Sequence, residues 1–207
     1  MTNLIILYVA AILVPLLFAS WRVAVVGLGM QGLVLSIILV IGHGFNSAAN
    51  IVEFLSLFLI RAVFVPWYLF RMSGRKDQPA DFSLAGKSLT HRSLVLLLLG
   101  IGFVMGYVMD RQNPKEAIQI GAALSSFLLG MLMIANQKQP MAQLIGLFTF
   151  EGGVTLVELL SSHAMPFPVQ LGVSAIDVLF VLTCGEYLTR FQTLAWESDT
   201  LPGKELR

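Results

Sequence analysis

Apolar residues in this chain neither alternate with polar ones nor keep to a single helical stripe; they run on. Runs of roughly 20 residues, the length a helix needs to cross the hydrocarbon of a bilayer, recur at about 3–20, 23–42, 48–70, 93–109, 117–136, 141–162 and 169–189. Within lipid every backbone group must be satisfied internally, and long runs without strict alternation predict helices rather than a closed barrel. The expectation is an all-α, polytopic transmembrane bundle of seven spans. Trp21-Arg22 is the only break between the first two runs, so that turn is tight. The first run opens on Met1-Thr2-Asn3 with no positive region and no convincing small-residue cleavage site, and it is read as a retained span. The longest polar stretch, RMSGRKDQPADFSLAGKSLTHR, divides a three-span half (1–71) from a four-span half (93–190), with 72–92 a loop and 191–207 a tail. No sequence repeat relates the halves.

Composition strengthens this picture. The chain is 57% hydrophobic and 12% charged, whereas a soluble domain is roughly half apolar and a quarter charged. Lys and Arg outside the runs divide ten to two: Arg22, Arg71, Arg75, Lys76, Lys87, Arg92, Lys138, Arg190, Lys204 and Arg207 against Arg111 and Lys115. That asymmetry predicts a cytoplasmic loop and C-terminus and an N-terminus outside. The net charge of +1 is dispersed at helix ends, which reads as topology and contact with the lipid bilayer and not as nucleic-acid binding.

Little in the chain points to catalysis. Cys184 is the sole cysteine, so there is no disulfide framework, cysteine cluster or haem-attachment motif. His43, His91 and His163 fall at span ends, where interfacial polar residues are expected, rather than at the depth of helix-paired haem ligands. No nucleophile elbow, zinc-binding helix motif or glycine-rich phosphate loop stands out. No metal, cofactor-binding or catalytic residue is assigned.

What remains is charge inside the hydrocarbon. An ionisable residue at mid-span costs about 2.5–3.5 kcal/mol on insertion scales and is by default a functional hypothesis. LIGLFTFEGGVTLVELL, residues 144–160, holds Glu151 near its midpoint and Glu158 two turns on, roughly 10 Å along one stripe. Such acids should face the bundle interior or a hydrated crevice, where a carboxyl group can take and give up a proton. Gly152-Gly153 lets a neighbouring backbone or water approach. The last run adds Asp177 near mid-depth, whereas Glu186 lies four residues before Arg190 and reads as an intrahelical ion pair. The third run places Arg61 near the centre and Glu53 outward, roughly 12 Å apart along a straight helix, so Arg61 needs an acid from elsewhere. Asp177, Glu151 and a separate subunit are the candidates. Pro66 frees the carbonyl of Ala62 and predicts a kink.

These stretches carry a resemblance. LIGLFTFEGG is similar to a helix built around Glu-Asn-Gly, with Glu151 at the acid; GVSAIDVLFVL resembles the following helix with its Gly-x-x-x-x-Asp pattern, with Asp177 at the acid. LIRAVFVPWYLFR resembles a base-then-proline helix, matching Arg61 and Pro66, and FQTLAWESDTLPGKELR resembles a short Asp-Thr-Leu ending. Together they resemble the hydrogenase-4 component E family, whose back half is similar to the K-type chain of respiratory complex I and the C-type chain of Mrp antiporters. The chain departs from that pattern in two places. Arg61 stands where the family has lysine, and because arginine keeps its proton the role there becomes electrostatic rather than a relay. Gly152 stands where asparagine is expected. Glu158 and Glu53 match no family residue and rest on the physical argument.

The resemblance implies a non-catalytic subunit of a complex I-related, formate hydrogenlyase-like oxidoreductase assembly in a bacterial or archaeal plasma (inner) membrane. Nickel–iron and iron–sulfur centres would belong to partner subunits, and antiporter-like chains would be its membrane neighbours. Glu151, Asp177, Arg61, Glu158 and Glu53 would line a path for H⁺ or Na⁺. Two other readings stay open. One is a scaffold joining antiporter-like subunits, in which bulky replacements at Gly152, Gly153 or Gly172 would abolish assembly. The other is an autonomous small-solute transporter.

Overall fold

The computed structural model describes residues 1–17, 21–45, 47–73, 89–136, 140–160, 168–169, 172–183 and 186. Among these every regular element is helical. They are α1 (Thr2–Leu17), α2 (Trp21–His43), α3 (Ala48–Leu55), a π-helix, π1 (Ser56–Phe64), α4 (Val65–Ser73), α5 (Leu89–Met109), α6 (Pro114–Asn136) and α7 (Pro140–Leu160). A shorter apolar helix, α8 (Gly172–Thr183), follows.

Among the described residues five helical stretches are long and apolar enough to cross a membrane: Arg22–His43, Ala48–Arg71, Arg92–Met109, Pro114–Asn136 and Ala142–Leu160. The first and last of the seven expected runs are described only in part. α1 covers 16 residues, and positions 18–20 of its expected run lie outside the described residues. α8 covers Gly172–Thr183, and the rest of the expected run over 169–189 lies largely outside them.

The turns follow their local chemistry. α2 ends at Gly44, whose φ of 64° is the left-handed conformation glycine adopts without penalty, and the Gly44 N–H donates back to Val40 O at 3.0 Å. α3 then starts from Ser47, whose hydroxyl accepts the Asn50 N–H at 3.2 Å. Between α5 and α6, Asp110 Oδ1 accepts the N–H groups of Gln112 and Asn113 at 3.2 and 3.1 Å. Asn113 then donates to Glu116 Oε1 at 2.7 Å, and Pro114 takes the first helical position, where its missing N–H goes unneeded. This turn carries Arg111 and Lys115.

α6 is the centre of the bundle. It packs against α5, α7 and α1 through a face of small residues that includes Gly121, Ala122, Ala123, Ser126 and Gly130. Without a hydrophobic driving force between helices in lipid, close backbone approach is what such faces provide. α2 packs on π1 and α7. The contacts of α1 with α6 and of α2 with α7 knit the front and back halves into one bundle. α5 turns a nearly unbroken apolar surface outward, with Leu96, Leu97, Ile101, Val104 and Val108 exposed. Only 17% of its apolar window is buried, which suits lipid and not water.

Candidate functional site

The site begins with a defect in a helix. Pro66 has no N–H to offer the carbonyl of Ala62, and its ring disfavours normal winding upstream. The disturbance expected there takes the form of π-helical winding over Ser56–Phe64, closed by the Val65 N–H bonding five residues back to Ile60 O. Widened turns of this kind recur at functional positions. Here the turn lies tight against α2. A Cβ on Gly32 would stand 2.9 Å from both Ala62 N and the Arg61 carbonyl carbon, so only glycine lets π1 come this close. Arg61 is thereby pressed into the interior at 7% exposure.

Its guanidinium meets three acceptors from two other helices. Nη2 forms an ion pair with Glu151 Oε1 of α7. Nε stands 3.5 Å from Asp177 Oδ2 of α8. Nη1 donates to Thr155 Oγ1 at 3.2 Å, and that hydroxyl donates in turn to the Glu151 carbonyl at 3.1 Å. The planar fork of arginine suits this divided load, since each nitrogen is aimed at a different partner. Two acids therefore share one base.

From this triad a polar cleft runs between α3, π1, α7 and α8. Glu53 and Glu158 line it, with Ser56 and Ser174, whose hydroxyls are hydrogen-bonded across the cleft. Its volume of about 50 Å³ compares with the ~10–15 Å³ that one water needs, so it has room for a few. All five acids and bases singled out in the sequence, Glu151, Asp177, Arg61, Glu158 and Glu53, line this one cleft. Glu151 and Asp177 are both the acids Arg61 required. The cleft acids are spread along its length, and among the described residues no three His, Cys, Asp or Glu converge to hold a metal.

Other expectations fare differently. Gly153 is a point of close approach, where a Cβ would stand 2.8 Å from Ala123 O. Gly152 faces side chains instead. The carboxamide of Gln31 and the Tyr8 hydroxyl occupy the space its own side chain would take, so the amide beside Gly152 is supplied by α2. Among the described residues nothing lies within 4 Å of the missing Cβ of Gly172. His43 is half-buried in the last turn of α2, and Glu186 is exposed. Cys184, His163, Arg190 and the side chain of His91 lie outside the described residues.

Sequence reasoning missed a buried array behind the triad. Gln31 Nε2 donates to the Tyr8 hydroxyl at 3.0 Å, Tyr8 donates to Ser126 Oγ at 3.0 Å, and Ser126 donates to Thr149 O at 2.6 Å. The array ties α1, α2, α6 and α7 together at the level of Arg61. Its one signal was the isolated Gln31 amid apolar residues, since a tyrosine or serine in such a run draws no notice. Thr155, Ser56 and Ser174 were missed for the same reason.

No family model matches the chain, and no solved structure matches it. It is similar to an uncharacterised protein, Rv0085, of Mycobacterium tuberculosis, with 26% identity over 186 residues that cover 87% of this chain and 83% of that protein. The similarity thus extends across both halves of the bundle.

Proposed function

We propose that this chain is a non-catalytic membrane subunit of a complex I-related, hydrogenase-4-like assembly, and that its buried carboxylates form part of a path for H⁺ or Na⁺ coupled to redox chemistry in partner subunits. The observation that carries the reading is the sharing of Arg61 by Glu151 and Asp177 at the blind end of a polar cleft. A proton or cation that neutralises one carboxylate weakens its hold on the guanidinium, which then leans on the other; the charge of Arg61 is permanent, so only its position changes. Glu158 and Glu53 lie further along the same cleft and receive or deliver the ion.

The membrane topology in this reading has seven spans, α1 and α8 among them. The N-terminus lies outside the plasma membrane, and the basic residues flanking α2, α4 and α5 lie in the cytoplasm. It is supported by Arg22 at the start of α2, Arg71 near the end of α4 and Arg92 in the first turn of α5, against Arg111 and Lys115 in the turn that follows α5. Glu53 and Glu158 then face outward.

The test is ion movement coupled to redox turnover in membrane vesicles carrying Glu151→Gln in the intact assembly. Loss of coupling with normal assembly is expected, and unimpaired coupling rejects the reading. One observation favours the scaffold alternative: the Arg61 head group stands against oxygens of two other helices, ion-paired to Glu151 and Asp177 and hydrogen-bonded to Thr155, as a static clamp between helices would. Under that reading Glu151→Gln is tolerated in transport, so the same measurement separates the two.

A further inference from the structure

We propose that the cleft is a one-ended aqueous vestibule, which admits small cations from the end bearing Glu53 and Glu158 and stops at the Arg61 guanidinium. As the mouth of an ion path it rests on the function proposed above; as a wet, blind cleft it rests on geometry alone.

The two sides of Arg61 are unlike. On one side lie the half-buried carboxyls of Glu53 and Glu158, the hydroxyls of Ser56, Ser174 and Thr155, and about 50 Å³ of space. On the other side is a pocket of about 10 Å³ between Arg61, Gln31 and the side chains of Leu28, Leu35, Val65 and Phe148, at or below the ~10–15 Å³ that a single water needs. Leu28, Leu35, Val65 and Phe148 are all buried, as are Leu69, Ile145 and Val25 beyond them. The one polar group in this plug, the Gln31 amide, is already engaged by Tyr8. Water that enters past Glu53 and Glu158 therefore meets a guanidinium and then a seal.

The charge in the cleft sets what enters. Four carboxyl groups line it and a single arginine opposes them. A cleft with one sign of charge and low-dielectric walls concentrates counter-ions, accelerating their entry by ~10-fold or more. Onward passage then requires either movement of the plug or a neighbouring subunit.

Single-cysteine variants in a Cys184→Ser background test this in membranes containing the full assembly. Ser56→Cys and Ser174→Cys sample the vestibule, and Leu28→Cys and Val65→Cys sample the plug. Each is exposed, in right-side-out and inverted vesicles, to membrane-impermeant cationic and anionic methanethiosulfonates. The vestibule cysteines should react from one membrane face only, with the cationic reagent at least about tenfold faster once intrinsic reactivities are divided out. The plug cysteines should stay unmodified from both faces. Adding Glu53→Gln and Glu158→Gln to Ser174→Cys should reduce the cationic preference several-fold while leaving the site reactive. Vestibule cysteines that react from both faces or from neither, plug cysteines that react as fast, or equal rates for the two reagents would each overturn the proposal. None of these readouts depends on coupling. A transport-competent Glu151→Gln variant would leave the vestibule standing, whereas dry cysteines would remove it whatever the transport result.

Discussion

Arg61 Nε stands 3.5 Å from Asp177 Oδ2, and this polar contact holds a helix that has little other grip on the bundle. Of the residues of α8, only Asp177 and Val181 are buried, while Val173, Ile176, Leu179 and Phe180 are exposed. Ser174, hydrogen-bonded to Ser56, supplies a further polar tie. α8 is thus secured to π1 largely through groups whose attraction depends on charge and hydrogen bonding.

Locking that attachment should stop transport. The hydroxyls of Ser56 and Ser174 touch, so a Ser56→Cys, Ser174→Cys pair is placed to form a disulfide under mild oxidation. Mass spectrometry of a digest should show the cross-link. Coupled ion movement should fall several-fold on oxidation and recover with dithiothreitol. A quantitatively cross-linked assembly that transports at the reduced rate would mean that α8 stays still in the cycle.

Removing the shared base should destabilise the chain far more than exchanging it. Arg61→Ala leaves Glu151 and Asp177 facing each other without a counter-charge, and breaking a buried pair in this way costs about 3–5 kcal/mol. At roughly 2–4 °C per kcal/mol for a chain of this size, Tm in detergent should fall by on the order of 10 °C. Arg61→Lys keeps the charge but replaces the fork with a single ammonium, so a smaller fall is expected. Thermal unfolding of the two variants side by side is the measurement.

Not every glycine here is structural. Gly32→Ala drives a methyl into the backbone of π1, whereas Gly172→Ala meets nothing within 4 Å among the described residues. The first should lower the yield of assembled protein sharply, and the second should leave both yield and Tm unchanged. Equal behaviour of the two would contradict the packing of π1 on α2.

Tyr8→Phe removes the hydroxyl that joins Gln31 to Ser126. A buried donor stripped of its partner in a soluble core costs about 1–3 kcal/mol. Interhelical hydrogen bonds in membranes average only about 0.6 and reach about 1.7 kcal/mol. The smaller scale applies within a bundle of apolar helices, so a Tm loss of a few degrees is expected. A loss as large as that of Arg61→Ala would make this array, and not the charged triad, the main tie between the halves.

Much of this arrangement was legible in the residues. Apolar runs announced the helices because lipid leaves the backbone no other solution, and the depth of Glu151, Asp177 and Arg61 within those runs announced the triad. The pairing itself was not legible, since sequence gives depth along a helix but not the azimuth at which it faces its neighbours. Pro66 signalled a kink, and the wide winding over Ser56–Phe64 was not legible; whether a chain winds wide depends on what it packs against, and here that is Gly32. The Tyr8 array showed in the sequence only as the isolated Gln31, for a related reason: single hydroxyls and amides reveal their role only when four helices bring them to one level.

The nine residues of π1 hold slightly more chain than the same rise of ordinary helix would use. Deleting one residue between Ser56 and Arg61 would therefore tend to restore regular winding rather than break it. Residues beyond the deletion would then keep nearly the azimuth they have, since a widened turn rotates less per residue than the roughly 100° of an α-helix. The same deletion in the regular winding of α3 would instead swing Arg61 by about 100° away from its two acids while the helix remained intact. Orientation of this cation is thus encoded by a length of chain as much as by the identity of the side chain, and a relative with one codon fewer before Ser56 could keep every charge yet lose their meeting.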